Sequence, residues 1–421
     1  MTLTEIANAI ETAAETLNGV TQVTPIQFNQ RLSQATGANV WIKREDLQPV
    51  RSYKLRGAYT LMSSLNPTER AAGVVCASAG NHGQGVAWSC AKLGINGKVF
   101  IPATTPRQKR SRMIDLGQGH IELGEVGDTY DEASAACQEY VQETGASLIP
   151  AFDDPTVISG QGTVAKEICE QLPTPPGVVL VPVGGGGLLA GVTAWFRTHS
   201  PQTRIIGVEP AGATSMKAAI EFGAPVSLAS IDTFVDGAAV GRAGKITFEL
   251  LRHADVELVA VPEGEVCTEM LSMYQVDGII AEPAGALAAA ALPTGPLDID
   301  LGITPGETVV AILSGGNNDV LRYAEIVERS KVYEGRQHYF LVNFYQEPGA
   351  LRRFLDSILG PDDDITRFEY IKRTNRDTGP ALVGVELGDP RDYPALLARI
   401  DESFLDIEIL NPDTPEYRFL V

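Results

Sequence analysis

Ser52-Tyr-Lys-Leu-Arg-Gly57 places Lys54 two residues from Arg56 and near Lys43, Arg44 and Arg51 in the chain. Neighbouring positive charge disfavours protonation of an amine, and a neutral amine can attack a carbonyl to form a Schiff base. A basic cluster is more often a solvated face, so this stretch alone does not decide. Gly184–Gly187 is a run of four glycines whose unobstructed N–H groups, at a helix start, would cradle phosphate. The spacing Gly185-x-Gly187-x-x-Ala190, with Glu209 closing the next apparent strand, fits a dinucleotide equally well. Ser78-Ala79-Gly80-Asn81-His82 offers a hydroxyl, an amide and backbone N–H groups that suit a carboxylate or a plain helix cap. Ser314-Gly-Gly-Asn317 puts another hydroxyl in a glycine-rich turn. Each signal is weak alone, but their coincidence in one chain is not.

The elements that must position these residues follow from what precedes them. Gly73–Ala77, Val178–Val183 and Val309–Leu313 are short, continuous apolar runs ending at those loops, the pattern of strands buried on both faces of a parallel sheet. Helical patterns over Gly83–Leu93, Asp128–Thr144, Gln161–Gln171 and Leu188–His199 alternate with them. That alternation predicts an α/β core with ligands at the carboxyl ends of the strands. Residues 1–330 are read as this core, 331–337 as a linker and 338–421 as a small second module. In the module an alternating run His338–Tyr345 precedes a helix opened by Pro348 at its first position. Strands near Ile365–Arg373 and Ala381–Leu387, a helix Asp392–Phe404 and a terminal strand Tyr417–Val421 follow. This order, βαββαβ, is ferredoxin-like α+β.

The 421 residues carry 33 Lys+Arg against 53 Asp+Glu, a formal charge of −20. Such a surface repels phosphate backbones, so neither nucleic acid nor an anionic membrane is an expected partner. No run reaches the ~18 apolar residues of a membrane span, and the acidic N-terminus has neither signal- nor transit-peptide character. Five scattered cysteines without a Cys-x-x-Cys pair predict a reduced, cytoplasmic protein. The five histidines show no zinc-site spacing, so no metal centre of that kind is expected.

Taken together, the lysine motif, Ser78-Ala-Gly-Asn-His-Gly-Gln-Gly85, the tetraglycine, Glu282-Pro-Ala-Gly285 and Ser314-Gly-Gly-Asn317 resemble the fold-type II (tryptophan synthase β-like) pyridoxal-phosphate enzymes in order and spacing. Within them the resemblance is to the threonine dehydratase (threonine ammonia-lyase) branch, over about residues 20–325. It implies a core of two α/β domains in which Lys54 binds pyridoxal 5'-phosphate covalently. Gly184, Gly185, Gly186 and Gly187, with Leu188, would wrap the phosphate. Asn81 would bond the ring hydroxyl, Ser314 would face the pyridine nitrogen and Tyr53 would flank the ring. Ser78, Ala79, Gly80, Asn81 and His82 would hold the carboxylate of L-threonine or L-serine. Serine racemases of this fold carry a serine where this chain has Ala79, which favours a dehydratase. Glu209, Ala213 and Ser215 match a cation-binding spacing of some relatives, with Ser215 favouring a monovalent ion. The C-terminal module resembles a single ACT-like regulatory domain, which implies inhibition by L-isoleucine, opposed by L-valine, in a homotetramer.

Overall fold

The computed structural model describes residues 1–293, 299–370, 377–403, 405–411 and 417. The chain divides into two compact units, Met1–Asp319 and Val320–Val421. The helix Tyr323–Tyr333 therefore goes with the second unit, and the stretch expected as a linker spans the end of that helix and the start of the strand Gln337–Tyr345.

The first unit contains two sheets. In the larger, the strand order is Ile26–Phe28, Asn39–Arg44, Thr308–Leu313, Val178–Pro182, Arg204–Pro210, Glu257–Val261. All pairs are parallel except the first. Every residue of Val178–Pro182 is buried, because helices cover both faces and leave no polar side to the strand. Ile158, Val164 and Ile168 from the helix Pro155–Gln171 and Leu189, Val192 and Phe196 from the helix Gly187–His199 fill this core with Val179, Val181 and Val310. The smaller sheet runs Ile121–Glu125, Gly97–Ile101, Val74–Ala77, Ser147–Leu148, all parallel. Its core joins Val74, Cys76 and Val99 to Val86, Ala87 and Cys90 of the helix Asn81–Leu93. Parallel strands all present their carboxyl ends on one side of their sheet, so the loops that follow them, those after Arg44, Ala77, Leu148, Pro182, Pro210 and Leu313 included, are the ones available to a ligand.

In the second unit the strands Asp364–Tyr370, Thr378–Glu386, Gln337–Tyr345 and Asp406–Leu410 form one antiparallel sheet in that order. The helices Ala350–Ile358 and Tyr393–Asp401 pack Phe354, Ile358, Leu396 and Ile400 against Phe340, Val342, Val383 and Val385. The βαββαβ order is the ferredoxin-like one. Two local expectations change. Pro348 does not open a helix: Gly349 is the cap, at φ 88°, and the helix begins at Ala350. Among the described residues the last strand is Asp406–Leu410, which was not expected: Ile407 alone is half-buried before Leu410, and this weak alternation hid it. The expected strand at 417–421 lies outside the described residues apart from Tyr417, as do Ile371–Arg373 and Phe404.

Candidate active site

Lys54 is the first residue of the helix Lys54–Ser64. The loop before it is stitched to the loop after Leu313: the Tyr53 amide donates to the Ser314 carbonyl at 3.1 Å, and the Gly316 amide to the Arg51 carbonyl at 2.9 Å. Arg51 takes φ 57° to make that approach. Lys54 Nζ is 3.5 Å from the Ala151 carbonyl and 5.2 Å from the Tyr53 ring centre. Ser314 is buried, and its hydroxyl donates to the Ala284 carbonyl at 3.0 Å, which leaves its oxygen lone pairs as acceptors. Ser52, fully buried beside them, has a hydroxyl without a hydrogen-bond partner.

The basic residues near Lys54 in the chain do not form an unopposed positive field. Arg56 is buried between Glu45 at 2.8 Å and Glu167 at 2.6 Å, and Lys43 Nζ meets Glu167 at 2.5 Å and the Thr24 carbonyl at 2.7 Å. Arg44 pairs with Asp46 at 2.8 Å. Lys43 and Arg56 with Glu45 and Glu167 are thus a buried, charge-balanced base under the helix that carries Lys54, whereas Arg51 is exposed. Burial is the largest influence on Arg56, and the two carboxylates outweigh it, so its pKa lies above the usual arginine value. Their distant positions in the chain concealed this arrangement from a local reading.

Asn81 opens the helix Asn81–Leu93 with Gly80 as its cap. Its Nδ2 donates to Glu282 Oε1 at 2.5 Å, and its Oδ1 accepts from Asn317 Nδ2 at 2.8 Å. Glu282 is buried, which raises its pKa to about 7; the nearby Asp236 charge adds to the rise and the Asn81 hydrogen bond opposes it. Its backbone lies so close to the serine loop that a Cβ on Gly285 would sit 2.0 Å from the Gly315 carbonyl oxygen. Only glycine fits there. Glu282 and Asn317 belong to motifs visible in the sequence, but their pairing with Asn81 spans 201 and 236 residues. His82 Nε2 bonds the Ile149 carbonyl at 2.8 Å; a carbonyl only accepts, so Nε2 carries the proton. Burial first, and then the charge of Lys54, lower its pKa to about 4, so the imidazole is neutral.

Gly184–Gly187 follows the strand Val178–Pro182, and Gly186, at φ 94°, caps the helix Gly187–His199. Phe152 packs beneath it: a Cβ on Gly185 would lie 2.4 Å from that ring. The segment from Ile149 to Asp153, which no local signal marks, therefore touches His82, Lys54 and the glycine loop in turn. Glu209 Oε1 and Oε2 accept the Met216 and Lys217 amides at 2.7 and 2.9 Å, and burial raises its pKa to about 7. Ser215 Oγ, close to it in the chain, is buried without a hydrogen-bond partner and Ala213 is buried. Among the described residues, no group of three or more His, Cys, Asp or Glu side chains is placed to hold a metal ion.

An amine at a helix start, a glycine loop whose N–H groups open another helix, and a polar rim of serine and asparagine are groups able to take a carbonyl compound that carries a phosphate. Residues 17–315 match the family of pyridoxal-phosphate-dependent enzymes, and residues 328–420 match the C-terminal regulatory domain of threonine dehydratase. The chain is 55% identical to the biosynthetic L-threonine dehydratase IlvA of Mycobacterium tuberculosis (strain ATCC 25618 / H37Rv), over 98% of this chain and 95% of that protein. Against the same enzyme of Corynebacterium glutamicum it is 52% identical, over 98% and 94%. Among solved structures, processed threonine deaminase isoform 2 from Solanum lycopersicum superposes with a TM-score of 0.72 at 38% identity, covering 77% of this chain and 93% of that one. Maize serine racemase gives 0.70 at 27%, covering 78% and 98%. The chain belongs to the biosynthetic L-threonine dehydratases, pyridoxal-phosphate-dependent enzymes with a single C-terminal regulatory domain. Among the described residues, no helix is long and apolar enough to cross a membrane.

Proposed function

We propose that the chain converts L-threonine to 2-oxobutanoate and ammonia, the committed step towards isoleucine, and that L-isoleucine bound to the C-terminal unit suppresses it. The observation that carries the reaction is the convergence of Lys54, the Ser314 loop, Asn81 and the tetraglycine, through Ala151 and Phe152, at the strand ends of one unit. Bound pyridoxal phosphate supplies an electron sink that eases removal of the Cα proton. Lys54 would hold it covalently until the substrate amino group takes its place, and the freed Nζ would then take up the Cα proton. The amides of Gly184–Leu188 hold the phosphate, while Asn81 and Ser314 orient the ring and Tyr53 closes one side. Ser78–His82 holds the carboxylate; neutral His82 adds no second cation there. The β-hydroxyl leaves as water, and the released enamine takes up water and loses ammonia. A serine, rather than a carboxylate, at the pyridine nitrogen does not enforce its protonation. That suits prompt loss of the hydroxyl.

The test is a 2-oxoacid assay on the purified chain with threonine and with serine, each with and without isoleucine. Threonine turnover suppressed by isoleucine is expected, and Lys54→Ala should abolish both turnover and the visible absorbance of bound cofactor. Turnover retained by Lys54→Ala would overturn the scheme. A serine preference would move the assignment to a serine dehydratase.

A further inference from the structure

The glycine loop is held by residues outside its own motif. The Gly185 carbonyl accepts two hydrogen bonds, from Thr247 Oγ1 at 2.7 Å and from the Gly244 amide at 3.2 Å. Thr247 is fully buried. It lies in the first turn of the helix Lys245–Leu251, whose opening amides at Lys245, Ile246 and Thr247 all donate to the Asp153 carboxylate, at 2.9, 2.8 and 3.3 Å. On the other side, Phe152 fills the space beneath Gly185 and Gly187. Neighbouring residues 152 and 153 thus fix the loop from two directions, one by contact and one through the helix they cap.

A trans peptide is planar, with its N–H opposed to its C=O, and this chain has no cis peptide among the described residues. Fixing the Gly185 carbonyl towards Thr247 therefore fixes the Gly186 N–H in the opposite direction. Gly186, at φ 94°, is the residue before the first turn of the helix Gly187–His199, where amides lack intrahelical partners. We propose that Thr247, held in place by Asp153, is a positioning residue: it sets the Gly185–Gly186 peptide so that the Gly186 amide faces the cofactor phosphate. This rests on the reading of Gly184–Leu188 as the phosphate cradle. Without the Thr247 hydroxyl only the longer Gly244 bond holds that carbonyl, and glycines on both sides add little restraint against rotation of the peptide.

The experiment compares pyridoxal phosphate with pyridoxal, which lacks the phosphate, binding to the full-length chain stripped of cofactor. Binding is followed by visible absorbance. In Thr247→Val, affinity for pyridoxal phosphate is expected to fall about tenfold, the scale of one buried hydrogen bond, while pyridoxal affinity is unchanged. Thr247→Ser, which keeps the hydroxyl, should restore the preference. Thr247→Ala is measured in parallel so that the readout survives a valine that disturbs folding. Equal losses for both ligands, or no loss for either, would overturn the clamp. A parent chain that binds both ligands equally would instead remove the cradle reading on which it rests.

Discussion

At the scale of single residues, the site is built on groups whose protonation is set by burial. His82 is kept neutral, and Glu282 and Glu209 have pKa values raised to about 7. Outside the site, Glu269 of the helix Glu263–Ser272 behaves likewise, burial outweighing its bonds to Arg31. For an acid whose folded value exceeds its ordinary 4.5, the folded state binds the extra proton. Stability is then full below about pH 4.5 and declines as pH rises through about 7. Glu282→Gln mimics the protonated form and still offers Asn81 an acceptor. Thermal melts of this variant without cofactor should show a shallower loss between pH 5 and 7.5, by up to about 3 kcal/mol at the upper end. An unchanged slope would mean that Glu282 is ionised throughout. The motifs of Lys54, the tetraglycine and Ser314, which the structure brings near one another, were legible in the sequence because each is a contiguous stretch. The charge balance around Arg56 was not, since Glu45 and Glu167 reach it from 11 and 111 residues away.

At the scale of elements, strand-then-loop punctuation marked the loops that the structure places at strand ends, because a continuous apolar run followed by glycine and polar residues reads as a buried strand and its exit. The stretch after Leu148 escaped notice for the opposite reason. Ser147–Leu148 is only two residues long, too short to announce a strand. The helix that follows was expected from Gln161 but starts at Pro155, where Asp154 caps it by accepting the Thr156 and Val157 amides at 2.8 and 3.0 Å. Gly160 and Gly162 within it blurred the pattern; a Cβ on Gly160 would lie 2.7 Å from Gly57 Cα, so two helices meet backbone to backbone there. Asp154→Ala removes both capping bonds. It should lower stability by about 1 kcal/mol, read as a fall in the denaturant midpoint with an unchanged slope. No change would show that solvent satisfies those amides equally well.

At the scale of the whole molecule, two compact units share one chain, and ligand linkage can address them separately. If L-isoleucine binds the C-terminal unit, it stabilises that unit by about 2.7 kcal/mol at 100 times its dissociation constant. Calorimetry of the full chain should show one transition displaced upwards by isoleucine. A trace indifferent to isoleucine would sink the effector assignment. The division into a core and a ferredoxin-like module was readable from the change of pattern near residue 335. Its position at Asp319/Val320 was not, because the charged helix Tyr323–Tyr333 looks the same whichever unit it serves. The strand Thr308–Leu313, lying between Asn39–Arg44 and Val178–Pro182, has a further consequence during synthesis. Asn39–Arg44 leaves the ribosome roughly 270 residues before the neighbour that joins it to the rest of its sheet, a wait on the order of tens of seconds. Over that interval a strand of the central sheet is an open edge, prone to pairing with other nascent chains. A message truncated shortly before residue 308 would thus yield an aggregating fragment rather than a smaller enzyme.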